Sequence, residues 1–123
     1  MSRLARAVAL LAGLFFLGLG VWAFFDPRSF YEQLATFPPY NRHLFHDAGA
    51  FQIGIGATLL LALTWKDGLS IALGGASVLA VMHAISHFID KDLGGKDTDP
   101  WFLSFVAAVI VIGFIARRRT GGA

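Results

Sequence analysis

Four stretches of the chain are almost continuously apolar: about Leu4 to Phe25, Leu44 to Trp65, Leu69 to Ile89 and Trp101 to Ala116. None alternates at the period of two that a barrel strand needs. A bilayer core ~30 Å thick takes ~20 helical residues, with a working range of ~17–25. Three stretches meet that length and the fourth sits at its lower limit. The pattern predicts an all-α fold, a four-helix transmembrane bundle, with residues 1–123 forming a single transmembrane domain.

The polar breaks between the stretches predict the connections. Asp26-Pro27 reads as an N-cap followed by proline at the first helical position. It starts a short interfacial helix between spans 1 and 2, running to about Ala35 with Phe30, Tyr31 and Leu34 on one face. Pro38-Pro39 ends that helix and redirects the chain. Lys66-Asp67-Gly68 reads as a tight turn that folds spans 2 and 3 into an antiparallel hairpin. Asp99-Pro100 repeats the cap-plus-proline signal ahead of span 4. The N-terminal span carries Arg3 and Arg6 ahead of its apolar run, as a signal peptide does. It ends in Trp22-Ala23-Phe24-Phe25 rather than in small residues, so it reads as a retained helix.

Composition points to lipid as the solvent. Of 123 residues, 56% are hydrophobic and 15% charged, and the mean hydropathy is +0.65. A soluble domain is nearer ~45–50% apolar and ~25% charged. The net charge is +2, but the basic residues form no stripe interleaved with aromatics, which excludes a nucleic-acid partner. They sit at span ends instead. Arg3, Arg6, Lys66, Arg117, Arg118 and Arg119 fall on one side, against Arg28, Arg42, Lys91 and Lys96 on the other. The excess predicts a multi-pass protein of the cell membrane with cytoplasmic N- and C-termini. Trp22 and Trp101 would mark the outer interface and Trp65 the inner one. There is no cysteine, which removes disulfides, zinc–thiolate sites and thiol catalysis.

Small residues predict where helices approach. Ala50 and Gly54 form a small-xxx-small step with Gly49 and Gly56 nearby, and Gly13, Gly18 and Gly20 punctuate span 1. They serve close packing within the bundle or homo-oligomer formation. Gln52, Ser86 and Ser104 are expected to hydrogen-bond to neighbouring helices. Arg42 is expected to pair with Asp90 or Asp92, or to meet an anionic headgroup.

The candidate chemistry lies in the histidines. His43, His46 and Asp47 open span 2 at spacings of three and four, and His83, His87 and Asp90 close span 3 at spacings of four and seven. Each trio shares a helical face. Counting outward from the turn brings His87 level with about Ala48 and His83 with about Gln52. Ionisable groups inside spans rarely face lipid and mark function. Four imidazoles and two carboxylates match the ligands of a transition metal ion such as zinc, iron or copper, with Asp47 and Asp90 as ligands or orienting groups. Redox or hydrolytic chemistry would follow. The same residues admit a purely structural network in an accessory or scaffolding protein, axial ligation of haem, or a proton relay. Asp90, Asp92, Asp97 and Asp99 lack an EF-hand pattern and read as a solvated loop. No catalytic residue has a recognisable setting.

Trp22 through Pro27, Asn41-Arg42, and the small-residue run from Ala48 to Gly56 resemble the DoxX-like group of small four-helix bacterial membrane proteins. The resemblance implies the four-helix fold and an association with membrane redox or thiol-stress systems. It supplies no counterpart for the four histidines.

Overall fold

The first three helices each begin where a short polar side chain satisfies one of the first amide groups. In a computed structural model of the protein, which describes residues 2–65 and 68–121, the Ser2 hydroxyl accepts from Ala5 N and starts α1, Arg3–Phe25. Asp26 accepts from Ser29 N and, with Pro27 behind it, starts α2, Pro27–Gln33. Asn41 accepts from Leu44 N at the head of α3, Arg42–Ala62. α4 spans Gly68–Ile89 and α5 spans Asp99–Gly121. Four of these, all but α2, are long and apolar enough to cross a membrane. No strand occurs among the described residues.

Several boundaries differ from expectation. α3 stops at Ala62 rather than Trp65, because the chain tightens: Leu63 and Thr64 donate three residues back, and the Thr64 hydroxyl bonds Leu61 O. α5 continues through Arg117–Arg119. Apolarity ends there but helicity does not, and cations suit a helix C-terminus. α2 is about two turns long, ending two residues before Ala35. The Asp99 carboxylate does not cap α5; it turns back to accept from Lys96 N at 2.8 Å. Lys66 and Asp67, from which the tight turn was read, lie outside the described residues.

Packing is inverted relative to a water-soluble domain. The buried core is mostly alanine, with only Leu59, Leu73 and Ile110 as large side chains under 2% exposed. The outside is built from bulky residues such as Phe51 at 74%, Ile71 at 80% and Ile89 at 73% exposure. Such a surface has no place in water, and it is what a bilayer solvates. The protein is a small polytopic membrane protein.

Neighbours in sequence are not the closest neighbours in space. α1 packs most extensively against α3, and α4 against α5, with α1 and α5 joining the two pairs; α3 and α4 touch far less. The hairpin expected of spans 2 and 3 is therefore a loose one, held at its turn end where Leu59, Ala62, Leu69 and Leu73 share the core. The reason is glycine. A Cβ on Gly20 would stand 2.6 Å from Ile53 N and 2.8 Å from Gly49 O, and one on Gly56 2.6 Å from Leu17 N and 2.8 Å from Gly13 O. Gly13 faces Gly56 and Gly20 faces Gly49, seven residues apart on both antiparallel helices. This is the repeat of a left-handed helix pair, with backbones in contact as small residues permit. The expected Ala50–Gly54 step plays no part in it. Ala50 is exposed, and nothing lies within 4 Å of a Cβ on Gly54.

The remaining seams are also antiparallel. Gly113 of α5 admits Val8 of α1, and Gly74 of α4 admits Phe114 of α5. Arg3, Arg6 and Arg117–Arg119 therefore share one end of the bundle, with Trp65. α2 and the start of α3 occupy the other end, beside Trp22 and Trp101. There Phe30 and Phe45 are buried with Ala23, and Tyr31 and Tyr40 pack around them. The following segment passes through a cis Pro38–Pro39 peptide bond.

Candidate functional site

α3 and α4 meet at the arginine end of the bundle and leave space at the opposite end. That space is a cavity of about 630 Å³, walled by all five helices and by the segment after α2. On α4 its lining runs from Leu79 to His87, eight helical steps or ~12 Å of depth. Six phenylalanines, Phe15, Phe16, Phe30, Phe37, Phe45 and Phe102, stand in the wall among leucines, alanines and a valine. The polar groups are few, namely Gln52 of α3, His83, Ser86 and His87 of α4, and Asp99 of α5. A mostly apolar hollow of ~300–1,000 Å³ with a few convergent polar groups is the usual form of a small-molecule site.

Each polar group is positioned by its own helix. His83 and His87 are one turn apart with ring centroids 5.0 Å apart, edge to face. His87 also meets the edge or face of Phe37, whose ring centroid lies 5.3 Å away. The Ser86 hydroxyl donates to His83 O at 2.7 Å, so it is spent on its own helix. Ser104 likewise donates to Pro100 O. Neither makes the interhelical bond expected of it. Gln52 does not either: its Oε1 is buried and has no hydrogen-bond partner. A buried polar group left in that state costs about 1–3 kcal/mol.

Two loops close this end of the cavity. Gly95 N donates to Thr36 O at 3.0 Å, and Lys96 Nζ donates to Gln33 O at 3.0 Å. Gly94 and Gly95 have φ of +141° and +79°, and a Cβ on either would collide with the Thr36–Phe37 segment. Only glycine lets the α4–α5 loop lie so close to that segment. Phe37 is held between Gly95 and His87.

The histidines do not gather into one set. His83 and His87 line the cavity; His43, His46, Asp47 and Asp90 do not. At 100° per residue, His43 and Asp47 lie roughly opposite Phe45 and Gln52 around α3, so the face that carries them turns outward. His43 Nε2 stands 3.4 Å from Asp47 Oδ2, with both side chains exposed. The His46 ring packs on Phe24 of α1 at 5.2 Å. Asp90 comes just after the end of α4. Among the described residues no three or more His, Asp or Glu side chains converge as a metal-binding group. The physical cause is the glycine seam: α3 rotates to press Gly49 and Gly56 against α1, which fixes where every other α3 side chain points. Arg42 also makes no ion pair among the described residues, where the pairs are Arg28–Glu32 and His43–Asp47.

The sequence drew attention to His83 and His87, and both belong to the cavity. It missed the wall of phenylalanines and gave Gln52 the wrong task. The signal for Gln52 was present, since it is the one amide side chain within a span. Comparison with protein-family models, curated proteins and solved structures returns no match.

Proposed function

We propose that this protein binds a compact, mostly apolar molecule taken from the bilayer, in the cavity walled by the five helices, with Gln52, His83 and His87 meeting its polar part. The observation that carries this reading is the cavity itself: about 630 Å³, apolar over most of its wall, with an unpartnered amide oxygen on one lining residue. Extraction of protein purified in mild detergent, followed by mass spectrometry, tests it. A single apolar species in near-stoichiometric amount is expected. It should be lost in Ala48→Phe, which fills the cavity from α3, while the melting temperature stays near that of the wild type. Equal recovery from both proteins, or no such species in either, overturns the reading.

A second reading is a transition metal ion held by His83 and His87. Their one-turn spacing and 5.0 Å ring separation favour it, because imidazoles at i and i+4 can share one ion. The other ligands would come from water or from the bound molecule. Elemental analysis of protein purified without added metal decides it, and absence of stoichiometric zinc, iron or copper rejects it. Membership of the DoxX-like group is part of the proposal. It rests on the Trp22–Pro27 corner, where Trp22 Nε1 donates to Ser29 Oγ, and on the Asn41-Arg42 start of α3.

Cytoplasmic termini complete the proposal. Support comes from the arginines at the terminal end of the bundle. Because the chain has no cysteine, single cysteines placed at Thr98 and Thr120 can be labelled with a membrane-impermeant thiol reagent. In intact cells only the Thr98 variant should react; labelling at Thr120 instead reverses the orientation.

A further inference from the structure

We infer that the molecule taken by this cavity is an uncharged aromatic alcohol of the phenol class, bound through its hydroxyl to the Gln52 amide oxygen. The inference rests on the cavity-binding reading above and specifies the chemistry of its occupant. Four features of the wall lead to it. Oε1 of Gln52 is a buried acceptor without a donor among the described residues, on a residue that lines the cavity, so an occupant that brings an O–H or N–H satisfies it once the amide turns toward the cavity. Gln52 is ten residues beyond the start of α3, ~15 Å along the helix, so that donor has to reach far into the bundle. An ionised phosphate or ammonium headgroup would lose its hydration there without a counter-charge, which keeps phospholipids at the surface.

Charge is the third feature. Among the described residues Asp99 is the only carboxylate on the wall, its Oδ2 already accepts from Lys96 N, and no Lys or Arg lines the cavity. The site therefore selects a neutral molecule. The fourth feature is the set of six phenylalanines, which offer edge and face contacts to an aromatic ring. A phenol O–H meets all four conditions. It donates to Gln52 Oε1, and its oxygen keeps lone pairs to accept from an imidazole N–H of His83, which lines the same cavity. The ring then lies among the phenylalanines.

Titration of the full-length protein in nanodiscs with naphthol, methoxynaphthalene and naphthalene tests the inference, read by calorimetry. Naphthol should bind roughly tenfold more tightly than its methyl ether, the scale of one buried hydrogen bond. Q52L should lower naphthol affinity by roughly the same factor and leave the ether unchanged. Q52M, which keeps the length of the side chain, serves the same purpose if Q52L does not fold. A48F should weaken all three ligands and so separates the cavity from partition into lipid. Equal wild-type affinities for the three, all weakened by A48F, would overturn the phenol assignment and leave the cavity reading standing. Failure of all three to bind above the A48F level would overturn both.

Discussion

Replacing Gly49 by alanine adds one methyl group to a place where two backbones touch. The new Cβ would stand 2.7 Å from Phe24 N and 2.8 Å from Gly20 O, short of the 3.4 Å of ordinary contact by about 0.7 Å. Neither atom belongs to a side chain that can swing away, so α1 and α3 must separate by about that distance. Separation weakens every contact along the seam, including those around the fully buried Ala23. In lipid no hydrophobic term draws the helices back, since the tails are as apolar as the side chains. Overpacking of this kind costs about 1–3 kcal/mol, offset by about 1 kcal/mol from the better helix propensity of alanine. The net expectation for G49A is a loss of about 0–2 kcal/mol. G54A is the control, because nothing lies within 4 Å of its Cβ; it should be neutral or gain up to about 1 kcal/mol. Unfolding in mixed dodecyl maltoside and sodium dodecyl sulfate micelles, followed by circular dichroism, measures both. The double variant G20A/G49A should lose less than the two single losses added, since the first methyl already opens the shared contact. If G49A and G54A unfold at the same detergent fraction, the glycine seam does not hold α1 to α3 and the account of the fold fails.

Three further outcomes follow from the same contacts. D26A removes the acceptor of Ser29 N and should destabilise α2 by about 0.5–2 kcal/mol, seen as faster amide exchange confined to residues 27–34. G94A forces a side chain onto a φ of +141° with its Cβ 2.6 Å from Thr36 O, at a cost of about 1–3 kcal/mol. It should also open the cavity end, measured as faster dissociation of a bound probe. E32Q breaks the exposed ion pair with Arg28 and should leave the melting temperature unchanged, because a solvent-exposed pair contributes little.

The helices were legible because a membrane span is a statement about length and apolarity, both present in one dimension. Capping was legible at Asp26 for the same reason: the acceptor and its target amide are three residues apart. Helix pairing was not. A short turn between spans 2 and 3 implies proximity at the turn, and carries no information about the far ends. The spacing that decides pairing was nevertheless written in the chain, as Gly13 and Gly20 against Gly49 and Gly56. A repeat of seven on two antiparallel helices outweighs the single step of four at Ala50–Gly54 because it places two backbone contacts on one face. The histidines show a related limit. Periodicity correctly joined His83 to His87, but the azimuth of a face depends on which neighbour the helix presses against, and for α3 that neighbour was α1.

The seam and the cavity are two consequences of one arrangement. Glycine draws α3 onto α1, and α4 is drawn onto α5, so the two pairs join through α1 and α5 and through the core at the arginine end. α3 and α4 then diverge toward the other end, where α2 and the Thr36–Phe37 segment close the space. A hydrocarbon chain could satisfy the phenylalanines of that wall, but it carries no donor for Gln52. Had selection acted on packing alone, leucine at position 52 would serve better, since it removes a buried acceptor that costs about 1–3 kcal/mol. Retaining the amide there makes sense when a donor arrives with the bound molecule. Stability and binding should thus oppose each other at this one residue: Q52L is expected to unfold later than the wild type in the micelle assay and to lose its preference for naphthol. A variant that loses both stability and binding would mean that Gln52 holds the bundle together, and that the cavity reads its ligand elsewhere.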